Sequence, residues 1–278
     1  MKIGPYHVRT ILAGTFRLDG GAMFGSVPRA LWERKNPADD LNRIDLATRL
    51  LWIEDETSSR RILVDVGNGD KFDERTAAMF ELRVNDPETW GISLEGVTDV
   101  ILTHLHFDHA GGMTRRSSGG DLELVFPAAR VHLQRENWDN ARQPWDRERA
   151  SYLEENWRPL EEKSDLQLLD GPTQLFDQIT VELAHGHTRG LQWIKVGDGR
   201  GAIVYPSDLM PTSSHVHLPW IMGYDRCAQT TYDEKAAFLE RAVDEEWIVV
   251  FEHDPNTAAA TIGRDDRGRF VIDQVVEL

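Results

Sequence analysis

Residues 103–112 run Thr103-His104-Leu105-His106-Phe107-Asp108-His109-Ala110-Gly111-Gly112, directly after the apolar run Val100-Ile101-Leu102. An apolar run of that length, bounded by polar residues, reads as a buried strand. His104 and His106 are two apart, so at a strand end they project to one side. Asp108 and His109 are adjacent and cannot both face that side in extended chain, so the strand must break, and Gly111 and Gly112 permit a tight turn with close backbone approach. Three imidazoles and a carboxylate in one turn have no packing rationale, because burying them without partners is costly. The arrangement puts ligands on each side of one small space, which suits two metal ions better than one.

The rest of the chain repeats the pattern of strand, isolated His or Asp, then turn. Asp65 ends Ile62-Leu63-Val64, His187 follows a strand at 179–183, Asp208 follows Ala202–Tyr205, and His253 follows an apolar strand at 247–251. Imidazole and carboxylate without thiolate suit a borderline to hard divalent ion, and two such ions can share a carboxylate. A pair roughly 3.5–4 Å apart would activate water against a polarised carbonyl or phosphoryl group. His7, His132 and His185 have no such context and read as surface residues.

The 278 residues, 40% hydrophobic, are read as one domain spanning 1–278. Two batches of strands, each with helices, predict an α/β (α+β) fold: two packed sheets covered by helices, with the site along one edge. Strands are expected at Tyr6–Phe16, in a hairpin of Thr48–Glu54 with Arg61–Val66, at 98–104, Leu122–Phe126, Arg130–Leu133, Leu166–Leu169, Ile179–Leu183, Leu191–Val196, Ala202–Tyr205 and Trp247–Phe251. Helix is expected around Asp73–Leu82 and over 135–163, interrupted at Pro144. Thr231 and Glu234 form a capping-box pattern ahead of Ala236, Phe238, Leu239, Ala242 and Val243. Asp19-Gly20-Gly21 reads as a turn.

Composition removes some function classes. A net charge of −16 argues against a nucleic-acid partner, which needs clustered Lys and Arg. No stretch approaches the roughly 20 apolar residues of a membrane span, and Lys2-Ile3-Gly4-Pro5 does not open an export segment, so a cytoplasmic location is expected. Cys227 is the sole cysteine, which excludes an internal disulfide.

Asp65, His104-x-His106-x-Asp108-His109, His187, Asp208 and His253 together resemble the five-part signature of the metallo-β-lactamase superfamily. The resemblance implies a four-layer αββα sandwich. It also implies one metal on His104, His106 and His187, a second on Asp108, His109 and His253, Asp208 bridging, and Asp65 orienting the ligand loop from behind. Leu18-Asp19-Gly20-Gly21-Ala22-Met23-Phe24-Gly25-Ser26-Val27-Pro28, Leu31-Trp32, Pro211-Thr212 and Pro219-Trp220-Ile221-Met222-Gly223-Tyr224-Asp225 are similar to the quorum-quenching N-acyl homoserine lactonase branch. That likeness implies a lactone-opening hydrolase with two divalent ions, zinc by preference and iron, manganese or cobalt as alternatives. A hydroxide bridging the ions would attack the ring carbonyl, with Asp108 as proton shuttle. The implied partner is a small amphiphilic ester or lactone, contacted by Met23, Phe24, His215, Trp220, Met222 and Tyr224; a homo-oligomer is left open.

Two positions depart from the branch. Pro211 stands where better-studied lactonases carry a substrate-contacting tyrosine, for which Tyr224 or His215 would have to substitute, and Arg189 stands where proline is common. The alternatives are a phosphotriesterase, esterase or thioesterase on the same scaffold, or a non-catalytic metal-binding protein. The short, strand-like segment 254–278 counts against a glutathione thioesterase, which would need a basic helical C-terminus there.

Overall fold

The apolar runs at 50–53, 62–64 and 100–102 are covered on both faces, and layering is the reason. In the computed structural model, which describes residues 1–278, Ile62 and Val64 pack between two sheets while Leu63 packs outward; Ile101 points inward and Val100 and Leu102 outward. The second sheet alternates likewise: Ile203, Tyr205, Ile248 and Val250 face inward, and Val204, Val249 and Phe251 face outward. With both sides of each strand in an apolar layer, the runs are continuous and not alternating.

The first sheet has eight strands, seven of them ordered Lys2–Ile3, Tyr6–Asp19, Arg43–Asp55, Arg61–Val64, Asp99–Ile101, Arg130–Gln134 and Leu166–Leu169, with Arg83–Val84 paired to Tyr6–Asp19 off this path. The second has seven, ordered Thr173–Phe176, Ile179–Ala184, Leu191–Val196, Ile203–Tyr205, Ile248–Val250, Ala259–Arg264 and Phe270–Val276. The helix Arg135–Arg142 and the turn Glu154–Trp157 cover the first sheet through Trp138, Ala141 and Trp157. The helix Ala228–Asp244 covers the second through Phe238, Leu239 and Ala242. The layers are helix, sheet, sheet, helix. No helix is long and apolar enough to cross a membrane.

Several expectations are corrected. The first strand runs on to Asp19, which caps the short helix Gly20–Phe24 by accepting from Ala22 N at 2.8 Å, where a simple turn was expected. The helical region 135–163 is one helix ending at Arg142, two residues before Pro144, followed by short turns. Thr231 and Glu234 form no capping box, because the helix begins at Ala228 and Glu234 instead accepts from the backbone N–H groups of His185 (2.8 Å) and Gly186 (3.0 Å). His132 is buried, not at the surface: its strand is flanked on both sides and it pairs with Asp99 at 2.8 Å.

Candidate metal centre

Arg61–Val64 and Asp99–Ile101 run parallel, as do Ile203–Tyr205 and Ile248–Val250. Parallel neighbours finish at one edge, so Asp65, the 103–112 loop, Asp208 and His253 emerge together. Backbone bonds tie the sheets there: Gln192 N to Thr103 O at 3.0 Å, Ala47 N to His253 O at 3.1 Å and Arg49 N to Glu252 O at 3.1 Å. Beyond His106 the chain makes one helical turn, Phe107–Ala110, which swings Asp108 and His109 away from the side taken by His104 and His106. That turn lies directly on the loop after Asp65. A Cβ on Gly111 would sit 1.9 Å from Asn68 O, and one on Gly112 2.1 Å from Val66 O, so no side chain fits at either position. Asp65 and Ser207 hold positive φ, +56° and +52°, a local strain that recurs at functional loops.

The structure brings all seven predicted ligand residues together, every one buried. One donor atom each from His104, His106, His187 and Asp208 lies within 4.8 Å of the others, and the same holds for Asp108, His109, Asp208 and His253. Asp208 belongs to both sets: Oδ2 is 3.1 Å from His187 Nε2 and 3.4 Å from His109 Nε2, and Oδ1 is 3.3 Å from His253 Nε2.

Their outer atoms decide which lone pairs face inward. His253 Nδ1 donates to Ala47 O (2.8 Å), His187 Nδ1 to Asp225 Oδ1 (2.9 Å) and His109 Nδ1 to Asp65 Oδ2 (2.9 Å). His104 Nδ1 lies 3.1 Å from Thr103 Oγ1, which itself donates to Asp65 Oδ2 and accepts from Ser207 Oγ. With Nδ1 held by an acceptor, Nε2 carries the lone pair, the usual tautomer of a metal-bound imidazole. Inside the cluster His104 Nε2 and Asp208 Oδ1 have no hydrogen-bond partner, although buried polar atoms normally have one, and His106 turns Nδ1 inward, 3.1 Å from His187 Nε2. Convergent lone pairs on imidazole and carboxylate with orphaned atoms among them are a donor set that fits divalent cations. Asp65 thus stands behind His109. Thr103, Ser207, Asp225 and Glu252 were not singled out from sequence, because their roles depend on what the fold places beside them.

Charge divides the two sets. Burial, reinforced by the other imidazoles, holds His104 and His106 well below the ordinary imidazole range. Burial also opposes a charged His253, but Asp208 and Glu252 outweigh it and raise this group to about 9. Burial likewise opposes ionisation of Asp208, yet His187, His109 and His253 keep it well below the usual carboxylate range. The first set thus holds two neutral imidazoles and, in His187, one that Asp208 and Asp225 raise against burial, while the second adds the Asp108 carboxylate to the shared Asp208.

A cavity of about 650 Å³ opens on this cluster and reaches His106, Asp108, His187, Asp208 and His253. Of the six predicted substrate contacts, Met23, Met222 and Tyr224 line it. Phe24, His215 and Trp220 do not: Phe24 is fully buried, stacks on Trp32 and His215 at centroid distances of 5.4 and 5.0 Å, and meets Trp220 edge-on. His215 is committed to Thr212 Oγ1 and Met23 O, so it cannot serve in place of the tyrosine missing at Pro211. Tyr224 lines the cavity, and burial together with Asp19 and Asp108 pushes its phenol up to about 12. Arg189 pairs with Glu136 at the surface.

An apolar end of the cavity went unread in the sequence. Phe72, Phe80 and Phe107 form an aromatic group, Phe107 lying 5.4 Å from Phe72 and 6.1 Å from Phe80. The helix between the first two, Glu74–Met79, buries no residue. Such a helix on a cavity wall has no core-facing stripe to mark it.

No curated protein sequence matches the chain. A probable metal-dependent hydrolase from Staphylococcus aureus matches in structure with TM-score 0.86 and 24% identity, covering 99% of this chain and 100% of that one. AidC, a dizinc quorum-quenching lactonase solved with a product, matches with TM-score 0.78 and 20% identity over 100% and 97% of the two chains. The hydrolase AbOPH of the beta lactamase superfamily matches with TM-score 0.79 and 17% identity over 100% and 96%. These likenesses fall on the αββα sandwich built above, and the family model for the metallo-beta-lactamase superfamily covers residues 50–253, from within the strand Arg43–Asp55 to His253 itself. The chain therefore belongs to the metallo-beta-lactamase superfamily.

Proposed function

We propose that this protein is a metal-dependent hydrolase that opens lactone rings, with N-acyl homoserine lactones as the leading substrates. One observation carries the reading: a cavity that holds the two donor sets on one part of its wall and Met23, Met222, Phe72 and Phe80 on another, with Lys71, Asp73, Arg147, Glu148 and Glu155 also in its lining. An amphiphile with a reactive ring at one end and a flexible acyl chain at the other matches that arrangement. His104, His106 and His187 would hold one divalent ion and Asp108, His109 and His253 the other, with Asp208 between them. Such ions, when bound, supply Lewis-acid charge and an activated water.

The chain's own groups do the rest. The Tyr224 phenol, protonated at neutral pH, donates a hydrogen bond to the substrate carbonyl. The Asp108 carboxylate, on the cavity wall beside His253, takes a proton during attack and returns it to the leaving alkoxide. The apolar wall excludes water around the developing oxyanion and strengthens every charge interaction there. The AidC likeness supports the reading at the level of fold.

Hydrolysis of hexanoyl and dodecanoyl homoserine lactone, followed with a pH indicator because ring opening releases acid, tests the assignment. Turnover of either, lost in Asp108→Asn, is expected. Turnover of phosphotriesters but of no lactone would move the assignment to the phosphotriesterase alternative. Inertness toward lactones, esters, thioesters and phosphotriesters alike would favour a non-catalytic metal-binding protein.

A further inference from the structure

The two donor sets are backed unequally from behind. In the first, His187 leans on one carboxylate, Asp225, and His104 on a hydroxyl, Thr103. In the second, the single Nδ1 of His109 faces two carboxylates, Asp65 Oδ2 at 2.9 Å and Glu252 Oε2 at 3.1 Å. All three side chains have 0% exposure. Asp65 is satisfied in other ways, by the Thr103 N–H at 2.7 Å and the Thr103 hydroxyl at 2.8 Å.

Glu252 is not. Neither of its oxygens has a hydrogen-bond partner. Arg49, the buried cation on the neighbouring strand, gives its guanidinium to the carbonyls of Phe251 and Asp254, on either side of the Glu252-His253 pair, and forms no ion pair with Glu252. A carboxyl buried without a donor ionises only where positive charge lies close by, as a cation on the inward nitrogen of His109 would supply. Glu252 lies against His109 and the buried Tyr205 phenol, and the inward nitrogen of His109 belongs to the second donor set.

We propose that Glu252 is a positioning residue for the second cation position: its charge behind His109 makes the inward nitrogen a stronger donor, so that the Asp108, His109 and His253 position binds more tightly than the His104, His106 and His187 position and fills first. The proposal rests on the two-cation reading of the site and is independent of the substrate. Outer partners of this kind are worth about 10- to 100-fold in metal affinity, which sets the size of the effect.

The test is zinc binding to metal-stripped protein, read by competition with a chromophoric chelator and without any activity assay. In a His106→Ala background the second position remains, and adding Glu252→Gln is expected to weaken it about 10- to 100-fold. In a His253→Ala background the first position remains, and Glu252→Gln is expected to leave it within about twofold of its parent. If Glu252→Gln does not fold, Glu252→Asp keeps the charge but draws it back, and a smaller weakening confined to the His106→Ala background is expected. Equal weakening in both backgrounds would mean a general structural role and would overturn the proposal, as would no change in the His106→Ala background. Unaltered protein that takes up only one zinc ion would remove the two-cation reading and this proposal with it, a result visible before any Glu252 variant is made.

Discussion

Gly111→Ala tests the claim that the ligand loop is held by backbone laid directly on backbone. Gly111 has φ −58° and ψ −38°, which alanine adopts freely, so any cost is steric and not conformational. The added Cβ would lie 1.9 Å from Asn68 O and 2.3 Å from Asn68 C. Bringing the first contact out even to 3.0 Å requires the two loops to separate by 3.0 − 1.9 = 1.1 Å. That movement pulls on the bonds Val66 N to His109 O (2.9 Å) and Gly112 N to Gly67 O (3.0 Å). Two backbone hydrogen bonds at about 0.5–1.5 kcal/mol each, with about 1–3 kcal/mol of overpacking, give a loss of about 2–6 kcal/mol. It also moves Asp108 and His109 by more than a metal–ligand bond tolerates, so the second position should lose its ion. Gly119→Ala is the control, since its Cβ meets nothing nearer than Ser117 Oγ at 3.7 Å and a change within about 0.5 kcal/mol is expected. Urea unfolding and metal content measure the two consequences. Gly111→Ala protein with the parent's stability and full metal content would refute the reasoning.

Tyr224→Phe should lower lactone kcat/KM about tenfold, the size of one hydrogen bond, and because the phenol sits near 12 it should remove no inflection between pH 6 and 9. Phe24→Ala should cost about 3–5 kcal/mol in urea unfolding while leaving KM nearly unchanged, since Phe24 packs in a side core and does not line the cavity; a large KM effect with little destabilisation would contradict that placement. Lys235, buried under Trp220 O at 2.6 Å, is lowered from 10.5 to about 7 by burial, with Asp225 opposing. Unfolded chain holds this proton up to about 10.5 and folded chain only below about 7, so the penalty is complete below pH 7 and is relieved as pH rises through that window. At about 1.36 kcal/mol per pH unit the ceiling is about 5 kcal/mol, and wild-type stability should climb relative to Lys235→Met between pH 7 and 10; parallel stability curves would sink this assignment.

Much of the site was legible because its chemistry is local. The cluster at 103–112 carries three imidazoles and a carboxylate in ten residues, and Asp65, His187, Asp208 and His253 each stand just past an apolar strand. The layering was legible too, since runs buried on both faces leave few other architectures. What escaped the reading depends on contacts between distant residues. His132 looks like an exposed residue until its strand is placed between two others, with Asp99 on one of them in reach. Glu234 has a capping residue's spacing from Thr231, yet reaching the loop of His187 takes precedence. Phe24 and Trp220 have the character of pocket residues, but Phe24 stacks against Trp32 and His215 and Trp220 meets Phe24 edge-on, away from the cavity. Glu252 and Asp225 sit one and thirty-eight positions from the histidines His253 and His187, and only the fold shows that Glu252 acts on His109.

On the reading proposed here, strand ends from two sheets build one centre for two cations that share Asp208. Elemental analysis of protein equilibrated with zinc and freed of excess measures it directly, with His106→Ala beside the parent. The account predicts about two ions per chain in the parent and about one in His106→Ala. A single ion in the parent, or two retained in His106→Ala, would contradict it.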